Sequence, residues 1–260
     1  LIGTIYPIFL DVLSSQKISV GPPFYHTLII PFLIPFLLIL AIRLKLKWIK
    51  SNLEDKIYLF TILVISIWLS ITIVKNFSSN FLINTILISS ALYLFFITLR
   101  DFFSKGFKNL AQNTAHFGFS LLILSILFNS LFSSEIITNL KVGQTFENSK
   151  AKIVFESLSQ KEGENYKSII GNFVVQDSNG KMENLSPELR IYNQPNITTS
   201  EADIKTTLLS DKFIVINLVQ NQEFFNVRYQ VKPFMLWIWI SVILISFGGL
   251  ISFVKKEYEK

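Results

Sequence analysis

Six apolar runs divide the chain, and all but the first are long enough to approach the thickness of a bilayer. They cover residues 1–13, 28–42, 57–74, 81–99, 115–132 and 233–254. A membrane-spanning helix needs about 20 predominantly apolar residues. We therefore expect the last five runs to be transmembrane helices. The first run, interrupted by Pro7, has the pattern of the end of a truncated span.

The long polar segment, residues 133–232, has a different periodicity. Apolar and polar residues alternate in AKIVFESL, YKSIIGNFVVQ, KFIVINLV and NVRYQV, as they do in half-buried strands. Asp177-Ser178-Asn179-Gly180 is typical of a hairpin turn. The pattern predicts five or six short strands in a small antiparallel barrel or sandwich. A short helix is also predicted at SEADIKTTLL, where Ser200 would cap it.

These elements predict a polytopic α-helical transmembrane bundle with a small, mainly-β extracytoplasmic domain inserted before the last helix. Residues 1–132 would hold the truncated span and four transmembrane helices. Residues 133–232 would form the β domain, and residues 233–260 the final transmembrane helix and its tail.

The Lys and Arg residues predict the orientation of the bundle. Loops 43–56, 100–115 and 255–260 hold 5, 3 and 3 of them, whereas the two short opposite loops hold only Lys17 and Lys75. Cytoplasmic loops carry the excess of basic residues. We therefore expect a cytoplasmic C-terminus and a β domain on the outer face of the membrane.

The composition agrees with a membrane protein. Charged residues make up 16% of the chain, against about 25% in soluble domains. The net charge of +6 sorts into loops, so it is not a nucleic-acid signal. With no cysteine in the chain, disulfides, thiolate catalysis and Cys-ligated metals are excluded. Because the first residue is Leu, we expect a piece of a longer or split protein.

His116, near the start of the run 115–132, is the main candidate for chemistry. It is one of only two histidines, and ionisable residues within spans usually face protein, water or a cofactor. One interpretation is a helix-entry histidine bonded to a carbonyl or a lipid phosphate. The other is an axial haem ligand, with Gly118 and Ser120 giving room for a macrocycle or a neighbouring helix. A six-coordinate haem would need a second histidine from elsewhere.

The remaining polar residues are weaker candidates for a functional role. His26 follows Gly-Pro-Pro-Phe-Tyr on the predicted outer side, about one membrane thickness from His116, and is interpreted as an interfacial polar residue. Residues 133–232 contain no histidine, which excludes a Ser/His/Asp triad there. The close pairs Glu188 with Arg190 and Glu201 with Asp203 are interpreted as solvated surface charge.

The last apolar run has two further features. Trp237 and Trp239 lie where the helix would enter the bilayer, which is the usual place of an aromatic belt. Gly248-Gly249 is deeper in the run and is interpreted as a close-packing site between helices. No following Lys makes it a phosphate-binding loop.

Four stretches together resemble one known family. They are LIGTIYPI followed by KISVGPPFY, AHFGFSLLILSILFNS, PELRIYNQPNITTSEADI, and VRYQVKPFMLWIWISVILISFGGLISF. In this order, and over nearly the whole chain, they resemble the C-terminal part of the CcmF family, the cytochrome c-type biogenesis proteins that act as the haem lyase component of the bacterial system.

The resemblance implies a function. CcmF-like proteins take haem from the haem chaperone CcmE and join its vinyl groups to the two thiols of a Cys-x-x-Cys-His site in apocytochrome c. They work with CcmH-type and CcmI-type partners in the bacterial inner membrane, with the large domain in the periplasm. They also carry a b-type haem between two transmembrane histidines, and His116, in the motif His-x-Gly, matches the downstream one.

This chain lacks several features of the family pattern. The tryptophan-rich haem-handling segment, its flanking histidines and the other transmembrane histidine have no counterpart between residues 1 and 260. The second haem ligand is therefore expected in the upstream part of the protein, no catalytic residue is assigned, and this piece alone is expected to be inactive. The alternatives are a membrane-anchored docking module without chemistry, or a transporter fragment. The spans hold almost no charge and no inverted repeat, which argues against the transporter.

Overall fold

A computed structural model describes residues 5, 12–13, 22–43, 53–75, 80–104, 109–178, 180–219 and 223–258. The described part contains two compact units. One comprises Leu1–Leu124 with Ser241–Lys260, and the other Ser125–Ile240. Of the predicted truncated span, only residues 5 and 12–13 belong to the described residues.

Five helices account for the apolar runs from residue 22 onward. They are α1 (Pro22–Arg43), α2 (Leu53–Val74), α3 (Phe81–Ser104), α4 (Leu110–Phe132) and α5 (Met235–Tyr258). Four of them, α2 to α5, are long and apolar enough to cross a membrane, and α1 contains the shorter apolar stretch Leu28–Ile42. The prediction of a multi-pass helical membrane protein is confirmed. Helix α1 continues through both Pro31 and Pro35.

Small and hydroxyl-bearing side chains mediate the contacts between helices. A Cβ added to Gly248 of α5 would lie 2.7 Å from the Ala115 nitrogen and 2.8 Å from the Ala111 oxygen, so α4 and α5 pack backbone to backbone there. The Ser70 hydroxyl of α2 donates to the Thr85 carbonyl of α3 at 2.7 Å. Such residues allow helices to approach closely in lipid.

Ten strands follow α4 and precede α5. They are β1 (Ser134–Leu140), β2 (Thr145–Glu147), β3 (Ala151–Glu162), β4 (Tyr166–Asp177), β5 (Met182–Leu185), β6 (Glu188–Asn193), β7 (Asn196–Glu201), β8 (Asp203–Thr206), β9 (Ser210–Leu218) and β10 (Phe225–Pro233). One sheet has the order β1-β10-β9-β8, and the other β2-β3-β4-β6-β7, with β5 also paired to β4. All pairs are antiparallel.

The two sheets form a sandwich around one hydrophobic core, so the predicted sandwich is confirmed. The inward positions of the alternating strands supply fully buried side chains, among them Phe155, Phe173 and Ile214. The rings of Phe155 and Phe173 stack with centroids 4.3 Å apart. Alternation of this kind places every second side chain on the core face of a sheet.

The hairpin predicted at Asp177-Ser178-Asn179-Gly180 is confirmed, because β4 and β5 pair across it and the Asp177 amide donates to the Lys181 carbonyl at 3.0 Å. Gly180 has a φ of +80°, which glycine adopts without steric cost. Asn179 itself lies outside the described residues.

The helix predicted at SEADIKTTLL is wrong. This segment holds the end of β7 and all of β8. Asp203 to Thr206 pair with Asp211 to Ile214 of β9, and this pairing outweighs a local helix preference. The structure also has more strands than the five or six predicted, and three of the additional ones, β2, β5 and β8, have only three or four residues each and show little periodicity.

Candidate functional site

Helix α4 carries His116 in its second turn, and the side chain is half-buried. The sequence here favours a helix, since LAQNTAHFGFSLLILSILFNSLF holds no proline and only one glycine. Gln112 lies one turn earlier on the same face of the helix. Its Nε2 is 3.5 Å from the Nε2 of His116, at the long limit of hydrogen bonding. The imidazole therefore has a polar neighbour on its own helix.

Two residues that follow His116 pack against α3. The ring of Phe117 stacks on Phe102 with centroids 5.0 Å apart. The hydroxyl oxygens of Ser120 and Thr98 are 2.6 Å apart, and both side chains are buried. These contacts hold the α4 segment next to His116 in one rotational position relative to α3.

The next contacts involve two other helices. A Cβ added to Gly118 would lie 3.0 Å from Ile245 of α5, and the ring of Phe119 meets that of Phe36 in α1 edge to face at 6.2 Å. A helix turns about 100° per residue. His116 therefore lies on the sector between Phe119, which contacts α1, and Ser120, which contacts α3.

This geometry shows which groups the small residues beside the histidine contact. Of the two possibilities left open by the sequence, a macrocycle or a neighbouring helix, the structure places neighbouring helices at both Gly118 and Ser120. The imidazole of His116 is half-buried on an apolar helix, and its Nε2 lies 3.5 Å from Nε2 of Gln112. Within the described ranges, no group of three or more His, Cys, Asp and Glu side chains could hold a metal ion.

His26 belongs to the first turns of α1, but its side chain lies outside the described residues. Its distance from His116 therefore stays a prediction. The assignment of His116 as a haem ligand also stays a prediction.

The junction of α3 and α4 contains a buried polar cluster that the sequence did not indicate. Asp101, Asn113 and Thr114 are each less than one-tenth exposed. The Asn113 side-chain amide donates to the Asp101 carbonyl at 3.3 Å. These three residues make the His116 end of α4 more polar inside than its apolar sequence suggests. In the sequence, the only indication of this cluster is that Gln112 and Asn113 lie one turn before His116 and Phe117.

In the sandwich, one buried ion cluster joins the two sheets. The ammonium group of Lys212 on β9 lies 3.0 Å from Asp177 Oδ2 and 3.1 Å from Glu183 Oε2, on β4 and β5. Burial alone would lower the pKa of Lys212, but the hydrogen bonds to the two carboxylates outweigh it and raise that pKa. Burial also raises the pKa of the adjacent Tyr229 to about 12. Lys212 is therefore a charged structural link and not a base at neutral pH.

The two charge pairs singled out in the sequence are engaged in local contacts. Arg190 Nε donates to Glu188 Oε2 at 3.0 Å, and the Ser168 hydroxyl donates to the same oxygen at 3.1 Å. Burial would raise the pKa of Glu188, but these two hydrogen bonds hold it below its ordinary value.

Glu201 and Asp203 have separate partners. The Thr199 hydroxyl donates to Glu201, and the Ser186 amide donates to Asp203 Oδ2 at 2.6 Å. Glu201 and Asp203 are therefore bound by different donors.

The chain is similar to known proteins along its whole length. Residues 131–233 match the family described as the CcmF C-terminal beta-sandwich. The chain is 26% identical over 274 residues to the cytochrome c-type biogenesis protein CcmF of Pseudomonas aeruginosa, covering 100% of this chain and 42% of that protein. It is also 26% identical over 270 residues to CcmF of Escherichia coli, with the same coverage.

A solved structure, cytochrome c haem lyase CcmF, shares the fold. Its TM-score is 0.71 at 17% identity, and the match covers 96% of this chain and 42% of that one. The chain thus spans about two-fifths of the length of the relatives it matches. The predicted resemblance to the C-terminal part of the CcmF family is confirmed.

Proposed function

We propose that this chain, a relative of the C-terminal part of CcmF proteins, contributes to a haem lyase that attaches haem to apocytochrome c through thioether bonds. The observation that carries the proposal is that its whole length, bundle and sandwich together, aligns with proteins named for cytochrome c-type biogenesis. The activity belongs to the complete protein. The upstream part is expected to supply the haem-handling surface, and this chain alone to be inactive.

His116 is proposed as one axial ligand of a b-type haem in the bundle. Three features support this role: the half-buried imidazole, its position on an apolar helix, and the packing of α1, α3 and α5 around that helix. Helices packed on several sides hold an imidazole in a fixed direction, which a ligand requires. The second ligand would come from the upstream part of the protein. When bound, such a haem would pass an electron to the iron of the haem being attached.

The location follows from the charge of the loops. The excess of Lys and Arg in loops 43–56, 100–115 and 255–260 supports a cytoplasmic C-terminus and a periplasmic sandwich in a bacterial inner membrane. Thiols of an exported apocytochrome would then meet the protein on the side of the sandwich. This placement suits a handover of haem from the chaperone CcmE and contact with CcmH-type and CcmI-type partners.

The test uses the full-length protein purified in detergent. We expect His116→Ala to abolish the Soret absorbance of the resident haem and to reduce cytochrome c maturation. We expect His26→Ala, the same change at the chain's other histidine, to leave both unchanged. Added imidazole should restore part of the absorbance in His116→Gly, since it can occupy the vacated ligand position.

Two outcomes would contradict parts of the proposal. A His116→Ala protein with full haem content and full maturation would refute the ligand assignment. A variant that loses the resident haem but matures cytochrome c normally would favour the alternative, a docking module without chemistry. Binding of CcmE to the full-length variant would then be the function to measure.

A further inference from the structure

The turn between β8 and β9 presents two exposed leucines. Thr207 and Ser210 close the turn: the Thr207 amide donates to the Ser210 carbonyl at 3.0 Å, and the Ser210 amide donates to the Thr207 hydroxyl at 3.1 Å. Leu208 and Leu209 at its tip are each 66% exposed. Large exposed apolar side chains that stand together usually mark an interaction surface. The tip is therefore a candidate contact site outside the core of the sandwich.

The start of α5 holds this tip in place. The Phe234 amide donates to the Leu209 carbonyl at 2.8 Å, and the indole nitrogen of Trp237 donates to the Leu208 carbonyl at 2.9 Å. The tip and the first turn of α5 therefore move together.

The junction between β10 and α5 is itself closely packed. Phe234 has a φ of 61°, in the left-handed region that is sterically unfavourable for a bulky residue. Its ring packs on Phe128 and Phe132 of α4, with centroids 5.4 Å and 6.5 Å apart. The Asn129 side-chain amide donates to the Pro233 carbonyl. The end of α4, the start of α5 and the leucine tip thus lie at one level.

We propose that Leu208 and Leu209 insert into the interfacial layer of the bilayer and anchor the sandwich there. The apolar span of α5, Met235–Val254, begins directly after Phe234. Tryptophan rings of spanning helices prefer the level of the lipid headgroups. A carbonyl that accepts a hydrogen bond from the Trp237 indole lies at that level too, which places the leucine side chains at the boundary of the acyl chains.

Two observations favour lipid over a protein partner. Several backbone groups of the turn are already bonded, including both leucine carbonyls, and lipid tails offer no hydrogen bonds to polar groups that enter them. In addition, Trp239 in the same first turns of α5 is 62% exposed. The described part of the chain therefore leaves this side chain of the helix largely uncovered as well. The inference is independent of the haem proposal.

The chain has no cysteine, so single reporters are easily introduced. Leu208→Cys and Leu209→Cys, labelled with an environment-sensitive fluorophore, are reconstituted as full chains in vesicles of phosphatidylethanolamine and phosphatidylglycerol. The matched control is Leu218→Cys, since Leu218 is 50% exposed at the opposite end of β9, about 26 Å away at the rise of an extended strand. Quenching by lipid-attached nitroxides is compared with quenching by a water-soluble agent.

We expect a blue shift and several-fold stronger lipid quenching at positions 208 and 209 than at 218, with the reverse order for the aqueous quencher. Aqueous quenching at 208 and 209 equal to that at 218 would overturn the proposal. Protection from both quenchers would also overturn it, because another protein segment would then cover the tip.

Discussion

The sandwich and the helices distribute polar and apolar side chains in opposite ways. In the sandwich, Phe155 is completely buried among other apolar residues, and its strands alternate. Along the helices, Phe32 is 75% exposed whereas Ser66 and Ser70 are completely buried. We treat water as the surroundings of the sandwich and lipid as the surroundings of the helices. In lipid, burying an apolar group brings little gain, so helices associate through small residues and hydrogen bonds.

The same substitution is therefore expected to change stability by different amounts in the sandwich and in the helices. A large apolar residue stabilises the sandwich by leaving water. In the helices it mostly replaces one apolar contact with another. The residues at the close contacts between helices contribute little to a hydrophobicity profile, as at Gly118, Ser120 and Gly248.

The largest expected effect is at the core of the sandwich. We expect Phe155→Ala to lower the free energy of unfolding of the sandwich by about 3–5 kcal/mol, because it removes a fully buried ring and leaves a cavity. Phe32→Ala on the exposed face of α1 should change the stability little. Pulse proteolysis in urea of the full chain in detergent measures both. Equal losses in the two variants would remove the contrast between the units.

A smaller effect is expected where α4 meets α5. We expect Gly248→Ala to destabilise the packing of the helices by about 1–3 kcal/mol, as overpacking of a tight contact does, since its Cβ would lie 2.7 Å from the Ala115 nitrogen. Gly249→Ala is the matched control, because nothing lies within 4 Å of a Cβ there. Unfolding in increasing fractions of sodium dodecyl sulfate compares them. A Gly249→Ala variant as unstable as Gly248→Ala would contradict the proposed contact.

The smallest expected effect is a dependence on pH. Burial would raise the pKa of Glu183, but its hydrogen bonds with Lys181 and Lys212 outweigh burial and hold that pKa below the ordinary 4.5. A lowered pKa in the folded state means that the contribution is complete above pH 4.5 and is lost as the pH falls through the folded value.

We therefore expect the stability of the sandwich to decline below pH 4.5, and Glu183→Gln to decline less steeply. Urea unfolding followed by proteolysis at several acidic pH values measures the slopes. Other carboxylates with a lowered pKa, such as Glu188, also titrate in this range. The stability of the variant therefore still depends on pH. Identical slopes in the two proteins would show that Glu183 is not the group that titrates.

Much of the fold could be predicted because its signals are local. The apolar runs located helices α2 to α5 to within a few residues, and alternation located β3, β4, β9 and β10. Strand β8 and the end of β7 were missed because the segment SEADIKTTLL was predicted as a helix, although both strands pair in hairpins, with β9 and β6 as partners. A four-residue strand has too little periodicity to reveal itself without that partner.

The surroundings of His116 were less predictable than its position. Its sequence context identified an apolar helix with small residues, but not which neighbour those residues meet. That Gly118 faces Ile245, that Ser120 faces Thr98, and that Asp101 is buried nearby are long-range facts of packing. The interaction of Gln112 with His116 was in principle readable, since residues four apart share a helix face.

The sandwich begins and ends on neighbouring strands. Ser134 of β1 pairs with Val231 of β10, so the backbone that leaves α4 and the backbone that enters α5 run side by side, about 5 Å apart. The length of the intervening polypeptide therefore has no influence on the spacing of those two helix ends. Insertions or deletions elsewhere in the sandwich that keep this strand pair intact would leave the two helix ends at the same separation.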